Sequence, residues 1–225
     1  MGDFYFYLRL GWEHIMSLDA LDHILFLVVL AAVYTLAEWK AVLVLVTAFT
    51  IGHSATLALS ALNLLTIPSE VVEFLIPCTI VFTAVSNLFQ KEFTTKYIRL
   101  NYLLALFFGL VHGLGFANTL RFILAGDQSL GKALLGFNLG LEAGQVLIVF
   151  VLLLTAQLAL QVLHVKRRDW VLFLSAAVFS LALQMGLQRW PWKSNGPENK
   201  LHRLGNKTFK ETYIACCFRY GSMRF

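Results

Sequence analysis

Four apolar runs of this chain carry groups able to hold a cation, and they carry them at helical spacings. The first reads His14-Ile-Met-Ser-Leu-Asp19-Ala-Leu-Asp22-His23. Asp19 and His23 are four apart and Asp19 and Asp22 three apart, so one helical face presents two carboxylates and an imidazole. Neutral imidazole with carboxylate suits nickel, cobalt, zinc or ferrous ions. Acids in the first turn of a helix also complement the positive end of its dipole. That plainer reading accounts for Asp19 and in part for Asp22, but it leaves His23 unexplained. The second run sets Thr50, His53 and Ser54 at i, i+3 and i+4. Hydroxyls commonly bond between membrane helices, which suffices for Thr50 and Ser54 as supporting groups; an intramembrane histidine needs a further reason. The third run, Gly109-Leu-Val-His112-Gly-Leu-Gly115, sets an imidazole among glycines that let another backbone come close. The fourth holds two rows: Gly136, Gly140 and Gly144, and on the opposite face Asn138, Glu142 and Gln145. The glycine row packs on a neighbouring helix or on a second copy. The polar row must face something other than lipid, because Glu142 in hydrocarbon has to be protonated, hydrogen-bonded or paired. Asn138 and Gln145 serve equally well as bundle glue or as support for a site.

The composition names the solvent for these groups. Of 225 residues, 58% are hydrophobic and 14% are charged, and mean hydropathy is +0.70. A soluble domain has about 45–50% apolar and about 25% charged residues. The balance excludes a disordered chain, a nucleic-acid module and an ordinary water-soluble enzyme, and points to a lipid bilayer. The net charge of +5 gathers in residues 194–225, which hold six Lys or Arg against two Glu. Cys78, Cys216 and Cys217 have no metal-type spacing and form no evident disulfide framework. Asp3, Glu13 and Asp19 speak against a signal peptide at the start.

A spanning helix needs about 20 mostly apolar residues. Six segments qualify: 18–37, 41–63, 70–89, 101–121, 133–163 and 170–188. The expected fold is all-α, a polytopic bundle of about six transmembrane helices over 18–190. Residues 1–17 read as a short amphipathic helix leading into it, and 191–225 as a mobile basic tail to which no function attaches. Trp12, Trp39, Trp170, Trp190 and Trp192 fall at segment ends, where the headgroup layer favours them. Pro77 is expected to kink the third segment. Lys40, then Lys91, Lys96 and Arg99, then Lys166, Arg167 and Arg168 follow the odd segments, against Arg9, Arg121 and Lys132 on the other side. The positive-inside rule therefore sets both termini outside. At about 1.5 Å per residue, His53, His112 and Glu142 lie about 14–15 Å from the terminal side and His23 about 8 Å. Four polar groups from four helices thus share one half of the bilayer.

These motifs resemble the HupE/UreJ family of bacterial membrane proteins, in its second branch. The parts that match are Asp22-His23-Ile-Leu-Phe-Leu, Phe49-Thr-Ile-Gly-His53-Ser-Ala-Thr-Leu, His112-Gly-Leu-Gly-Phe-Ala and Phe137-Asn-Leu-Gly-Leu-Glu142-Ala-Gly-Gln145, over about residues 11–165. The family is associated with hydrogenase and urease gene clusters and with nickel or cobalt transport. The resemblance implies metal uptake across a bacterial inner membrane, with Asp22, His23, His53, His112 and Glu142 as the carried-over positions. In such a transporter Asp19, Asp22 and His14 would capture the ion from outside, and His53, His112 and Glu142 would hold it near the mid-plane. The nickel/cobalt permease signature His-x4-Asp-His is only partly present: the position five before Asp22 is Ser17.

Two other readings stay open at this stage. An intramembrane zinc hydrolase acting on a lipid or an anchored peptide would use the same three histidines, with Glu142 or Asp22 as base. An accessory membrane subunit would hold the cluster for structure alone, alongside a partner protein or a second copy. The half of the bundle away from the termini, with Thr47, Ser86 and little else, offers few groups to carry an ion onward.

Overall fold

The computed structural model describes residues 2–17, 20–90, 95–124 and 130–191. Seven helices follow one another: α1 (Gly2–Met16), α2 (Leu21–Ala31), α3 (Trp39–Ala61), α4 (Ser69–Phe89), α5 (Thr95–Leu124), α6 (Leu130–Gln161) and α7 (Arg167–Gln188). There is no strand among the described residues. Among the described residues five helices are long and apolar enough to cross a membrane, or six if α1 and α2, bent by 70°, are counted as one broken span. The described residues up to Trp190 form one compact unit. Beyond Pro191 the basic tail lies outside the described residues, as does Asp19.

The surface is inverted relative to a soluble protein. Phe82, Leu103, Phe107, Leu135, Phe150 and Phe173 are all more than half exposed. Apolar area on this scale is tolerated only against lipid. The interior is fixed by pairs of helices in close approach. α3 lies on α5, α1 on α6 and α4 on α7. A Cβ on Gly52 would strike the Leu106 carbonyl, and one on Gly109 would strike the Phe49 carbonyl, so α3 and α5 touch backbone to backbone. Asn87 on α4 ties three elements together, donating to the Val29 carbonyl of α2 at 2.8 Å and to Ser175 of α7 at 3.3 Å.

Two features differ from the sequence expectation. The segment 18–37 is not one helix. Its helical core, α2, has 11 residues, or about 16 Å, against about 30 Å of hydrocarbon. Eight of its eleven residues are buried, so its apolar side chains serve packing within the protein as well as lipid contact. The chain leaves it through a 3-10 turn at Leu36–Glu38. There Thr35 donates to Glu38 at 2.9 Å from its backbone and 3.0 Å from its hydroxyl. Arg167 clamps this turn, bonding Glu38 at 2.9 Å and the Val33 carbonyl. The second difference concerns α1, which packs along α6 within the bundle. The glycine row takes it up: a Cβ on Gly140 would meet the Leu8 carbonyl, and one on Gly144 the Ile15 side chain. That row is therefore filled from within the chain.

Candidate metal centre

Four elements bring four imidazoles into one neighbourhood. His23 of α2 is central: its ring centroid lies 5.2 Å from His14 of α1, 4.7 Å from His112 of α5 and 6.2 Å from His53 of α3. An ion held by two imidazole nitrogens at about 2.1 Å, with bond angles of about 90–109°, leaves the ring centroids about 4.6–5.3 Å apart. Two of the three separations fall in that interval, and the third exceeds it by about 1 Å. The planes meet edge to face, at 81°, 64° and 68°. In this conformation no three His, Cys, Asp or Glu groups among the described residues are set to hold one ion. Alignment of the rings on one ion would require rotation about their side-chain torsions.

Hydrogen bonds fix which nitrogen three of the rings offer. His112 Nδ1 lies 2.9 Å from the Phe108 carbonyl. A carbonyl only accepts, so Nδ1 carries the hydrogen and Nε2 a bare lone pair. His53 Nδ1 lies 3.4 Å from Asn138 Oδ1. The Asn138 amide donates to the Leu134 carbonyl at 2.8 Å, which turns its oxygen toward His53 and sets the same tautomer there. His23 Nδ1 lies 3.1 Å from Asp22 Oδ1, which also accepts the His23 backbone N–H at 2.9 Å. Nε2 of His14, His23, His53 and His112 is buried in each case, with no hydrogen-bond partner. An orphaned buried polar atom costs about 1–3 kcal/mol, and native proteins hold few of them. Four such atoms lie on these neighbouring rings. Metal-bound histidines show the same pattern, with the second ring nitrogen donating to a carboxylate or a carbonyl.

Phenylalanines enclose the rings. Phe49 lies 5.4–6.0 Å from His23, His53 and His112, Phe26 5.7 Å from His112, and Phe116 4.2 Å from His14. Phe137 stacks on Phe116 at 5.0 Å and reaches His14 and His53. Sequence reasoning missed this enclosure, although its signal was present: Phe26, Phe49 and Phe116 stand three or four residues from His23, His53 and His112 and so share their helix faces. Such a shell keeps water out and sharpens the preference of the lone pairs for an ion.

The other expected residues lie around this core or apart from it. Asp22 is buried and engaged on both oxygens, Oδ1 by His23 and Oδ2 by Arg189 at 3.4 Å. Arg189, from the end of α7, is a contact that sequence reasoning did not foresee. Ser54 donates to the Thr50 carbonyl at 2.7 Å. Thr50 bonds the Val46 carbonyl and Gln145, at 3.1 and 3.2 Å. Glu142 is not brought to the rings; it accepts from Thr47 at 2.7 Å, one turn beyond Asn138 along α6. Gln145 is fully buried, with Nε2 unpartnered.

The helices and this intramembrane imidazole cluster define a polytopic integral membrane protein with a candidate site for a soft or borderline cation. The family model described as HupE / UreJ protein, in its second branch, matches residues 1–192, and the chain belongs to that family. Comparison with curated proteins and with solved structures returned no match.

Replacing Asn138 with Leu is expected to free the His53 ring to turn and exchange tautomers. Metal affinity should fall about 10–100-fold, as for other outer-shell partners, while the thermal midpoint of the metal-free protein moves by a few degrees at most. Isothermal titration with nickel on the purified variant checks this.

Proposed function

We propose that the protein takes up a divalent transition-metal ion, nickel or cobalt, across the bacterial inner membrane, from the side on which both termini lie. The observation that carries this reading is the set of four buried Nε2 atoms on adjoining rings, three of them fixed as acceptors by bonds at Nδ1. The ion is cargo, and its donors are His14, His23, His53 and His112. Asp22 and Asn138 orient two of those rings. Along the seam of α3 and α6, His53 meets Asn138, Thr50 bonds Gln145 and Thr47 bonds Glu142. Glu142 is then the next carboxylate along α6 after the imidazoles. Release is as necessary as capture, and a site of neutral imidazoles in a bundle that adjusts its rings suits both.

A hydrolase would need a carboxylate free to take a proton from metal-bound water within hydrogen-bond reach. Asp22 has both oxygens engaged, and Glu142 turns to Thr47 rather than to the imidazoles. The transport reading is therefore preferred over the zinc-hydrolase one.

Cells expressing the protein should accumulate labelled nickel or cobalt, and the His53→Ala and His112→Ala variants should lose that accumulation at equal protein levels. Detergent-purified protein equilibrated with nickel and desalted should retain the ion, and the His112→Ala protein should not. Wild-type accumulation that both variants match would refute the proposal.

A further inference from the structure

The carboxylate nearest the imidazoles is held by a cation from this chain. Asp22 Oδ2 meets Arg189 Nη1 at 3.4 Å, and the same guanidinium nitrogen lies 3.5 Å from the Glu73 carbonyl at the start of α4. Arg189 ends α7, where a basic side chain could simply complement the helix dipole. Its contacts instead go to α2 and α4. The side chain is about one-third exposed while the carboxylate is nearly covered, so the arginine reaches from the rim inward. Beside it, Trp190 packs edge-on against Phe74 at 5.1 Å and helps to close the same end of the bundle. All of these groups lie on the terminal side, where α4 begins and α7 ends.

We propose that Arg189 is a tethered counter-cation that seals the terminal-side mouth of the histidine site through Asp22 and gives way when a divalent cation arrives. A buried carboxylate without a cation is costly. In the empty site the guanidinium compensates Asp22. An ion on His23 brings positive charge to the same carboxylate through the imidazole that Asp22 holds, and it repels the guanidinium across the poorly screening interior. The two cations compete for one anion, so Arg189 loosens on loading and returns on release. The inference rests on the reading of the four histidines as a metal site. It adds the residue that opposes binding and speeds discharge.

The test uses full-length protein in detergent, with nickel as the probe. Arg189→Gln, which keeps a hydrogen-bond donor and removes the charge, should bind nickel about tenfold more tightly and release it correspondingly more slowly to a chelator. Arg189→Lys should stay within about threefold of wild type, because the charge is kept. An Arg189→Gln affinity equal to or weaker than wild type overturns the proposal, since a residue that only supports the fold would weaken binding when lost. Should that variant fail to fold, the wild-type protein still decides: peptide mapping of phenylglyoxal modification should find Arg189 several-fold more reactive with nickel bound than without. Unchanged or reduced reactivity overturns it. Nickel held by wild type and lost in His53→Ala, with Arg189 reactivity unaltered, removes this inference alone. No nickel held by wild type removes both it and the reading beneath it.

Discussion

His112→Leu should lower nickel affinity at least about 100-fold, more than the loss of an outer-shell partner, and should leave the metal-free protein within a few degrees of the wild-type melting temperature. Leucine keeps most of the ring's volume, so the cavity cost is small. The substitution gives up the bond to the Phe108 carbonyl but also removes an orphaned Nε2 from an apolar enclosure. These two terms are of similar size and opposite sign. His53→Leu should behave alike, because its ring is also fully buried with Nε2 bare. A cluster that existed to hold the bundle together would give the reverse: lost stability in both variants, with nothing lost in metal. Nickel titration and thermal unfolding on the same preparations separate the two outcomes.

Gly52→Leu is expected to cost more than about 3 kcal/mol of stability, beyond the usual range for overpacking, and to abolish metal retention with it. At this crossing α3 and α5 meet through Gly52 on one side and Gly109 on the other, each facing carbonyls of the opposing backbone. Backbone cannot rotate away as a side chain can, so the helices must separate. His53 follows Gly52 in sequence, and Gly113, which faces the His53 carbonyl, follows His112. Moving the helices apart therefore moves the two rings apart. Gly131→Ala is the matched control, since nothing lies within 4 Å of its added Cβ. It should leave both unfolding and nickel binding unchanged. Loss of monodisperse protein in detergent for Gly52→Leu, with Gly131→Ala like wild type, is the expected pair of results.

Much of this architecture was legible in the sequence because lipid imposes simple terms. Long apolar helices were readable from length and composition, and α3 to α7 lie close to the expected segments. The histidines of separate spans were matched by counting residues from segment ends, which works when helices alternate in direction. The broken first span was not legible. Hydropathy measures apolar content and does not distinguish lipid contact from burial, so the packed α2 and the residues up to Arg167's clamp on Glu38 looked like one crossing helix. α1 was read only as a short amphipathic helix leading into the bundle. Its placement follows from Gly11 and the glycine row of α6, two complementary features 125 or more residues apart. The same limit hid the state of Asp22. Its neighbour His23 was visible, but the guanidinium that takes its other oxygen comes from 167 residues away. Glu142 was assigned to the site by its polar row, its depth and the motif it shares. Depth fixes a level in the bilayer and not a direction around the helix, and the side chain turns to Thr47.

X-ray absorption at the nickel edge, on purified protein carrying one equivalent of nickel, tests the central claim most directly. Three or four imidazole nitrogens at about 2.0–2.1 Å, with the outer scattering of their rings, is the result expected of His14, His23, His53 and His112 closing on one ion. A shell of oxygens alone, without ring scattering and unchanged in His112→Leu, would contradict it.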